Sequence, residues 1–391
     1  MAMENAKIDR LQFFVLIVLF ETGTSLVIGL GIGAGRDAWI AIMASASLGC
    51  LLFLVYWQLH RYYPGDIITG YIPKITGKWI GIPLSYIYII YFLYLASRVL
   101  RDFGELVLTF SYPETPLFII NSIMILLIIY GVIKGIETLA RTGELNLIVI
   151  YFLAFTGIFL LLASDVIVFD RMRPVLEYGI KPIIKTVANE TLYVPFGELV
   201  VFSCIFPYLN DTKKARTIGI LAILTSGINL SLTMLLNILS IGITVVENSP
   251  FPLLATVQEI SVANFLERID VFFLVALFIG AFFKISIFLY AAVTGLANLF
   301  HLQSHREITF PFGVIILILS MIIASNFAEH ILEGLDVVPI YFHLPMQVII
   351  PILLFMIAYV KNRSKKKNSE NLLPGQQSSR SSGNETTVSG E

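Results

Sequence analysis

Apolar runs long enough to cross a bilayer alternate with short polar stretches along nearly the whole chain. Ten such runs are read, at about 10–33, 38–58, 82–108, 116–134, 145–164, 188–209, 216–244, 270–299, 309–327 and 338–360, each predicted to be a transmembrane helix. The first run exceeds the h-region of a signal peptide and no small-residue cleavage site precedes a soluble domain, so it is expected to stay in the protein.

Two of the runs are interrupted. The first carries Glu21-Thr22-Gly23-Thr24-Ser25 and the sixth Pro195-Phe196-Gly197-Glu198, both near the expected membrane midplane. Interruptions at matching places in two halves are the sequence mark of an inverted repeat with discontinuous helices. Backbone groups released by such breaks are tolerated only where they line a cavity or meet a ligand. The pattern therefore predicts repeat one over about 8–164 and repeat two over about 186–360.

Composition agrees with this class. Hydrophobic residues make up 57% of the 391 and charged residues 14%, with a mean hydropathy of +0.84, against about a quarter charged in a soluble domain. The chain is expected to live in the lipid bilayer, with no room for a soluble catalytic domain. A net charge of −1, with Lys and Arg spread over the loops, points away from nucleic acid. Arg61, Lys74, Lys78, Lys213, Lys214, Arg216, Lys361 and Arg363 fall on the same side as Lys7 and Arg10 for an even number of crossings, which puts both termini in the cytoplasm. The segment 165–187, with Arg171, Arg173, Lys181 and Lys185, dissents from that rule. Residues 1–363 are read as the membrane domain and 364–391, polar and of low complexity, as a disordered cytoplasmic tail.

Charges inside the apolar runs mark the candidate chemistry. Arg98, Arg101, Asp102 and Glu105 share one stripe of the third run; each would cost about 3 kcal/mol facing lipid, so they must face protein or water. Their spacing predicts the pairs Arg98 with Asp102 and Arg101 with Glu105, either as a clamp within the bundle or as support for a site. Lys284, near the centre of the eighth run, is expected to pair with Glu198 or Glu21.

Other motifs fall away. Cys50 and Cys204 lie within runs and offer neither a disulfide nor a metal pattern. The five histidines are read in or beside loops, with no ligand register, so no metal site is expected. Gly29, Gly31 and Ala34 match a dinucleotide fingerprint without its strand, and the pairs Gly29 with Gly33 and Gly31 with Gly35 are read instead as close helix packing. No nucleophile, base and orienting residue form a set, so neither an enzyme nor a cofactor is expected. The pair Glu267-Arg268 reads as an ordinary surface ion pair.

Several stretches, in order, resemble the B subunits of spore nutrient-germinant receptors. They are Ile8-Asp9-Arg10-Leu11-Gln12-Phe13, Asp37-Ala38-Trp39-Ile40, Gly77-Lys78-Trp79-Ile80-Gly81, Ala140-Arg141-Thr142 with Glu144, Arg173-Pro174-Val175-Leu176, Pro195-Phe196-Gly197-Glu198, Glu267-Arg268-Ile269-Asp270 and Phe283-Lys284-Ile285-Ser286. The likeness runs from about residue 8 to 363 and stops before the polar tail. That family lies in the amino acid, polyamine and organocation transporter superfamily. The resemblance implies an all-α polytopic fold of ten transmembrane helices, a LeuT-like 5+5 inverted repeat with helices 1 and 6 broken. It also implies a nutrient sensor in the spore inner membrane, working with a membrane-bound A subunit and a lipoprotein C subunit to trigger germination.

Carried over residue by residue, the family's first break matches Gly23 and its glycine-acid pair matches Gly197 and Glu198. Where many relatives have a proline after the first break, this chain has Val27-Ile28-Gly29-Leu30-Gly31. The expected ligand site comprises Gly23, Thr24, Ser25, Phe196, Gly197, Glu198 and Lys284, with Glu21, Arg98, Arg101, Asp102 and Glu105 as an intramembrane charge network. An amino acid's carboxylate suits the amides around Gly23 to Ser25, Phe196 would bound a side-chain pocket, and Glu198 would hold either the ligand's ammonium or Lys284. In sodium-coupled members of this fold a cation bridges the first and eighth helices, and the ammonium of Lys284 is expected to take its place. Two other readings stand beside the receptor subunit: a proton-coupled amino acid transporter of the same fold, and a membrane scaffold that binds no ligand.

Overall fold

A computed structural model of the chain describes residues 6–26, 28–260 and 270–371. Helix α1 (Arg10–Thr22) opens on a reciprocal cap, with Asp9 Oδ1 accepting from Gln12 N at 2.8 Å and Gln12 Oε1 accepting from Asp9 N at 3.1 Å. It ends where Gly23 N donates to Leu19 O, and the chain tightens into a 3-10 turn, Thr24–Leu26. Of the glycines that follow, Gly31 and Gly35 turn the chain rather than pack a helix, contrary to the sequence expectation, while a Cβ on Gly33 would stand 2.9 Å from Thr186 Oγ1. Gly31 and Gly35 take φ of 77° and 58°, a left-handed conformation open to glycine at no steric cost. They bracket a 3-10 segment, Ile32–Asp37, that turns the chain into α2 (Ala38–Tyr62).

The chain continues through α3 (Ile68–Thr76), α4 (Lys78–Phe110), α5 (Leu117–Lys134) and α6 (Ile136–Ala163). The sixth apolar run changes helix type repeatedly: α7 (Lys181–Thr186), a π turn (Val187–Thr191) and two 3-10 stretches, Phe196–Cys204 and Phe206–Tyr208. Then come α8 (Thr212–Ile241), α9 (Ile243–Asn248), α10 (Pro252–Gln258), α11 (Asp270–Leu299), α12 (Arg306–Ile322) and α13 (Phe327–Leu332). Two π-helical stretches, Glu333–Val337 and Pro339–Ile349, lead into α14 (Ile350–Asn371).

Seven helices among the described residues are long and apolar enough to cross a membrane, or eight if α12 and Phe327–Leu335, bent by 107°, form one crossing. The first and sixth expected spans fall short of that length because each changes helix type partway along. Helix α14 continues to Asn371, so residues 364–371 are helical rather than part of a disordered tail. Residues 372–391 and the pair Glu267-Arg268 lie outside the described residues.

Helix α11 packs along α4, and α8 packs along both α2 and α1. At their centre Phe20 of α1 makes edge contacts with Phe202 and Phe288, at ring-centroid distances of 5.4 and 5.1 Å, so the first, sixth and eighth apolar runs share one aromatic core. The two ends of the bundle are separately tied. At one end Ile8 N donates to Tyr208 O, Arg10 pairs with Asp211, and the Lys361 ammonium donates to Lys74 O and Ile75 O. At the other, Arg36 pairs with Glu177, Asp37 accepts from Leu176 N, and Arg171 donates to Ser240 O. Helix α8 separates Asp211 from Ser240, so the basic segment that dissented from the charge rule lies at the opposite end from Arg10 and Lys361.

Candidate functional site

One ammonium joins three elements. Lys284, on α11, places Nζ 2.6 Å from Glu198 Oε2, with the two side chains 1% and 4% exposed. The same Nζ lies 3.5 Å from Ser25 Oγ, in the turn after α1, and 5.4 Å from the centroid of the Phe20 ring. A buried lysine needs such a partner, because an unpaired ammonium cannot be held away from water at tolerable cost. Of the two carboxylates expected for it, Glu198 is the one it meets. Glu21 is 0% exposed, and neither of its oxygens makes a hydrogen bond of normal geometry.

The remaining expected ligand residues gather around this pair, tightly packed. Thr24 and Ser25 are buried. A Cβ on Gly23 would stand 3.1 Å from Lys284 Cδ, and one on Gly280 would stand 2.8 Å from Gly23 Cα, so α1 and α11 touch backbone to backbone. Phe196 is wedged against Gly49 of α2, where a Cβ would come within 2.6 Å of its own Cβ. Phe196 thus fills space in this state rather than bounding an open pocket. Of the amides expected to be open, those around Gly23 to Ser25, that of Gly23 is occupied, donating to Leu19 O at 3.0 Å; in the sixth run Gly197 N donates to Leu192 O and Glu198 N to Pro195 O, at 2.9 and 3.1 Å. The structure is closed at the junction.

A cavity of about 250 Å³ lies elsewhere, between α1, α6, α8, α10 and α11. Its wall is largely apolar, with Val18, Thr22, Leu26, Asn229, Thr256 and Phe273 among its residues. Val18 and Thr22, four apart on α1, lie on a different face of that helix from Phe20, and Leu26 follows in the turn after it.

The charge network on α4 is only partly as its spacing predicted. Arg101 pairs with Glu105 at 2.7 Å and also donates to Ser320 O and Met321 O near the C-terminal end of α12. Arg98 does not pair with Asp102. Its guanidinium donates to His330 O at 2.5 Å and to Tyr94 Oη at 3.3 Å, while Asp102 Oδ1 stands 2.8 Å from His330 Nε2. The cause is the sharp bend after α12, which brings α13 back across α4 and sets His330 between the two side chains.

His330 also corrects the expectation that the histidines sit in or beside loops. His60, His330 and His343 all lie within helical segments and are buried. His343 Nδ1 meets Tyr91 Oη at 2.7 Å, and that oxygen accepts from Gln347 Nε2 at 2.8 Å. Tyr56 and Tyr88 donate to Gln347 O and Met346 O at 2.6 and 2.8 Å. These carbonyls lie in the π-helical stretch Pro339–Ile349, and their α-helical donors are missing: Ile350 N donates to Pro345 O instead, and Pro351 has no N–H. The tyrosines thus satisfy backbone that an α-helix would have satisfied itself. Sequence reasoning missed this network, although two hydrogen-bonding side chains four apart in an apolar run were the available signal. Among the described residues no group of at least three His, Cys, Asp or Glu side chains is placed to hold a metal ion.

Comparison with known proteins settles the family. The model of the spore germination protein family matches residues 7–328. The chain is 45% identical over 366 residues to spore germination protein KB of Bacillus subtilis (strain 168), a match covering 94% of this chain and 98% of that protein. It belongs to the spore germination protein family. Another member, spore germination protein YndE of the same organism, is 26% identical over 340 residues, 84% of this chain and 89% of its own. Two solved structures share this germination protein's fold at 12% identity. MhsT in complex with L-phenylalanine superposes with a TM-score of 0.66 over 91% of this chain and 89% of that one. Mhp1, a nucleobase-cation-symport-1 family transporter in a closed conformation with bromovinylhydantoin bound, does so with a TM-score of 0.63 over 84% of this chain and 75% of that one. The germination protein is therefore an all-α integral membrane protein with a transporter fold.

Proposed function

We propose that this chain is the nutrient-sensing B subunit of a spore germinant receptor. It takes a small nutrient, an amino acid being the best fit, where the turn at Gly23–Ser25, the stretch Phe196–Glu198 and Lys284 converge. The observation that carries this reading is the buried Lys284 to Glu198 pair, which ties the first, sixth and eighth apolar runs together at one point in a member of a germination family. MhsT, solved with L-phenylalanine, has the same fold and so supports the ligand class.

The mechanism follows from the closed junction. A nutrient can enter only by parting the contact between Gly23 and Gly280 or by drawing Phe196 from its seat beside Gly49. Its binding then favours a more open arrangement of α1 against α11. About 1–3 kcal/mol of coupling is enough to pass that change to partner subunits, here the membrane-bound A subunit and the lipoprotein C subunit in the spore inner membrane. The reading includes ten crossings in two inverted repeats, about 8–164 and 186–360, with both termini and the tail from residue 364 on the cytoplasmic side. The packing of α8 along α2 and of α11 along α4 joins helices that such a repeat would make counterparts, and supports it.

A proton-coupled transporter of the same fold is the second reading, favoured by the buried, unpaired Glu21. The deciding experiment is the germination of spores lacking this chain, tested one nutrient at a time against the same strain with the chain restored. Loss of response to one nutrient class with the others intact is expected. An unchanged response across a broad panel, with uptake by the purified chain in proteoliposomes, would favour the transporter.

A further inference from the structure

Two carboxylates and one ammonium share the junction, and the ammonium is already committed. Lys284 Nζ sits 2.6 Å from Glu198 Oε2. Glu21 is fully buried beside them with no hydrogen bond from either oxygen.

The groups facing Glu21 come from four elements. Lys284 of α11 and Glu198 of the sixth run are the charged ones, Cys50 of α2 faces it as well, and Ser226 of α8 is its polar neighbour. Ser226 Oγ also lies 3.0 Å from Ala222 O, and its hydroxyl can accept from the O–H of a carboxylic acid as well as donate to a carboxylate. A second buried negative charge next to Glu198 would have no cation of its own, the arrangement in which one of two neighbouring carboxyls keeps its proton.

We propose that Glu21 is a proton-binding site, holding a proton in this closed state beside Ser226. The ligand is H⁺ itself, bound to one carboxylate oxygen with no other bond made or broken. The junction is then electrically neutral, with one ammonium, one carboxylate and one carboxylic acid. Helix α1 carries this acid two residues before Gly23, so the proton sits on the element that a nutrient would have to move.

Infrared spectroscopy of the purified full-length chain in detergent at neutral pH tests this without any nutrient. The difference spectrum between wild type and Glu21→Gln is expected to show the carbonyl stretch of a protonated carboxyl in the wild type alone. Ser226→Ala, a change too small to threaten folding, is expected to shift that band by removing the hydroxyl beside it. In Glu198→Gln the freed Lys284 is expected to turn to Glu21, and the band is expected to vanish as Glu21 ionises. A Glu21→Gln difference containing only carboxylate bands, or a Ser226→Ala spectrum identical to wild type, would overturn the proposal. The readout involves no germination, so its failure leaves the receptor reading standing, and failure of that reading leaves the band in place.

Discussion

Gly23 and Gly280 hold α1 and α11 in backbone contact: a Cβ built on Gly280 would stand 2.8 Å from Gly23 Cα and 3.1 Å from Gly23 O. Both neighbours are backbone atoms that cannot swing aside. Gly280→Ala is therefore expected to force the helices apart, at about 1–3 kcal/mol of overpacking. Thermal unfolding of the purified chain checks the cost. Gly157→Ala, at a half-buried position of α6 where a Cβ meets nothing within 4 Å, serves as the control and is expected to leave the protein as stable or slightly more so.

The Lys284 to Glu198 pair makes a sharper prediction about charge. Removing Lys284 strands Glu198 in a dry interior, so Lys284→Met is expected to cost about 3–5 kcal/mol, whereas Glu198→Gln is expected to cost less because Lys284 can turn to Glu21. Combining Lys284→Met with Glu198→Met leaves no buried charge, and stability is expected to recover most of that loss. Denaturation of the single and double variants in the same detergent gives the comparison.

The bend after α12 lodges His330 against α4, between Arg98 and Asp102. Arg98 holds the His330 carbonyl, so only the contact to Asp102 depends on the imidazole. A double-mutant cycle with Asp102→Asn and His330→Gln is expected to show a coupling of about 0.5–3 kcal/mol. Pairing Asp102→Asn with Arg98→Gln is expected to show less, since these two side chains do not meet.

With the ammonium of Lys284 3.5 Å from Ser25 Oγ, a fixed cation already joins α11 to the turn after α1. Nutrient binding is accordingly expected to be indifferent to sodium. Affinity of the purified chain for the nutrient found in spores, measured with sodium replaced by potassium at constant ionic strength, should not change; a steep rise with sodium would show a cation site that this arrangement does not provide.

What the sequence displayed was whatever the bilayer makes expensive. The apolar runs, the change of helix type near Gly23 and Pro195, and the need of Lys284 for a carboxylate were legible because each follows from the cost of exposing polar groups to lipid. Pairing on α4 was misread in part because helical spacing shows only partners on the same helix. His330 reaches Asp102 across 228 residues, through a bend no local pattern announced. Gly31 and Gly35 were misread because packing and turning use the same residue, and hydropathy does not separate their positive φ from a helix. The tyrosines that satisfy the π-helical stretch Pro339–Ile349 looked like ordinary apolar-run residues, since their partners are backbone carbonyls 291 and 258 residues away.

The central claim is that a nutrient acts on the germination machinery through the junction of Lys284, Glu198 and the turn after α1. It is tested most directly in spores whose only copy of this chain carries Lys284→Met with Glu198→Met, a pair chosen to remove the charges while keeping the fold. The account predicts normal amounts of the protein in the spore membrane, a germination response to its own nutrient lost or shifted by roughly tenfold or more in concentration, about 1.4 kcal/mol or more in binding, and unchanged responses through other routes. A normal amount of the variant with an unaltered response to that nutrient would contradict it.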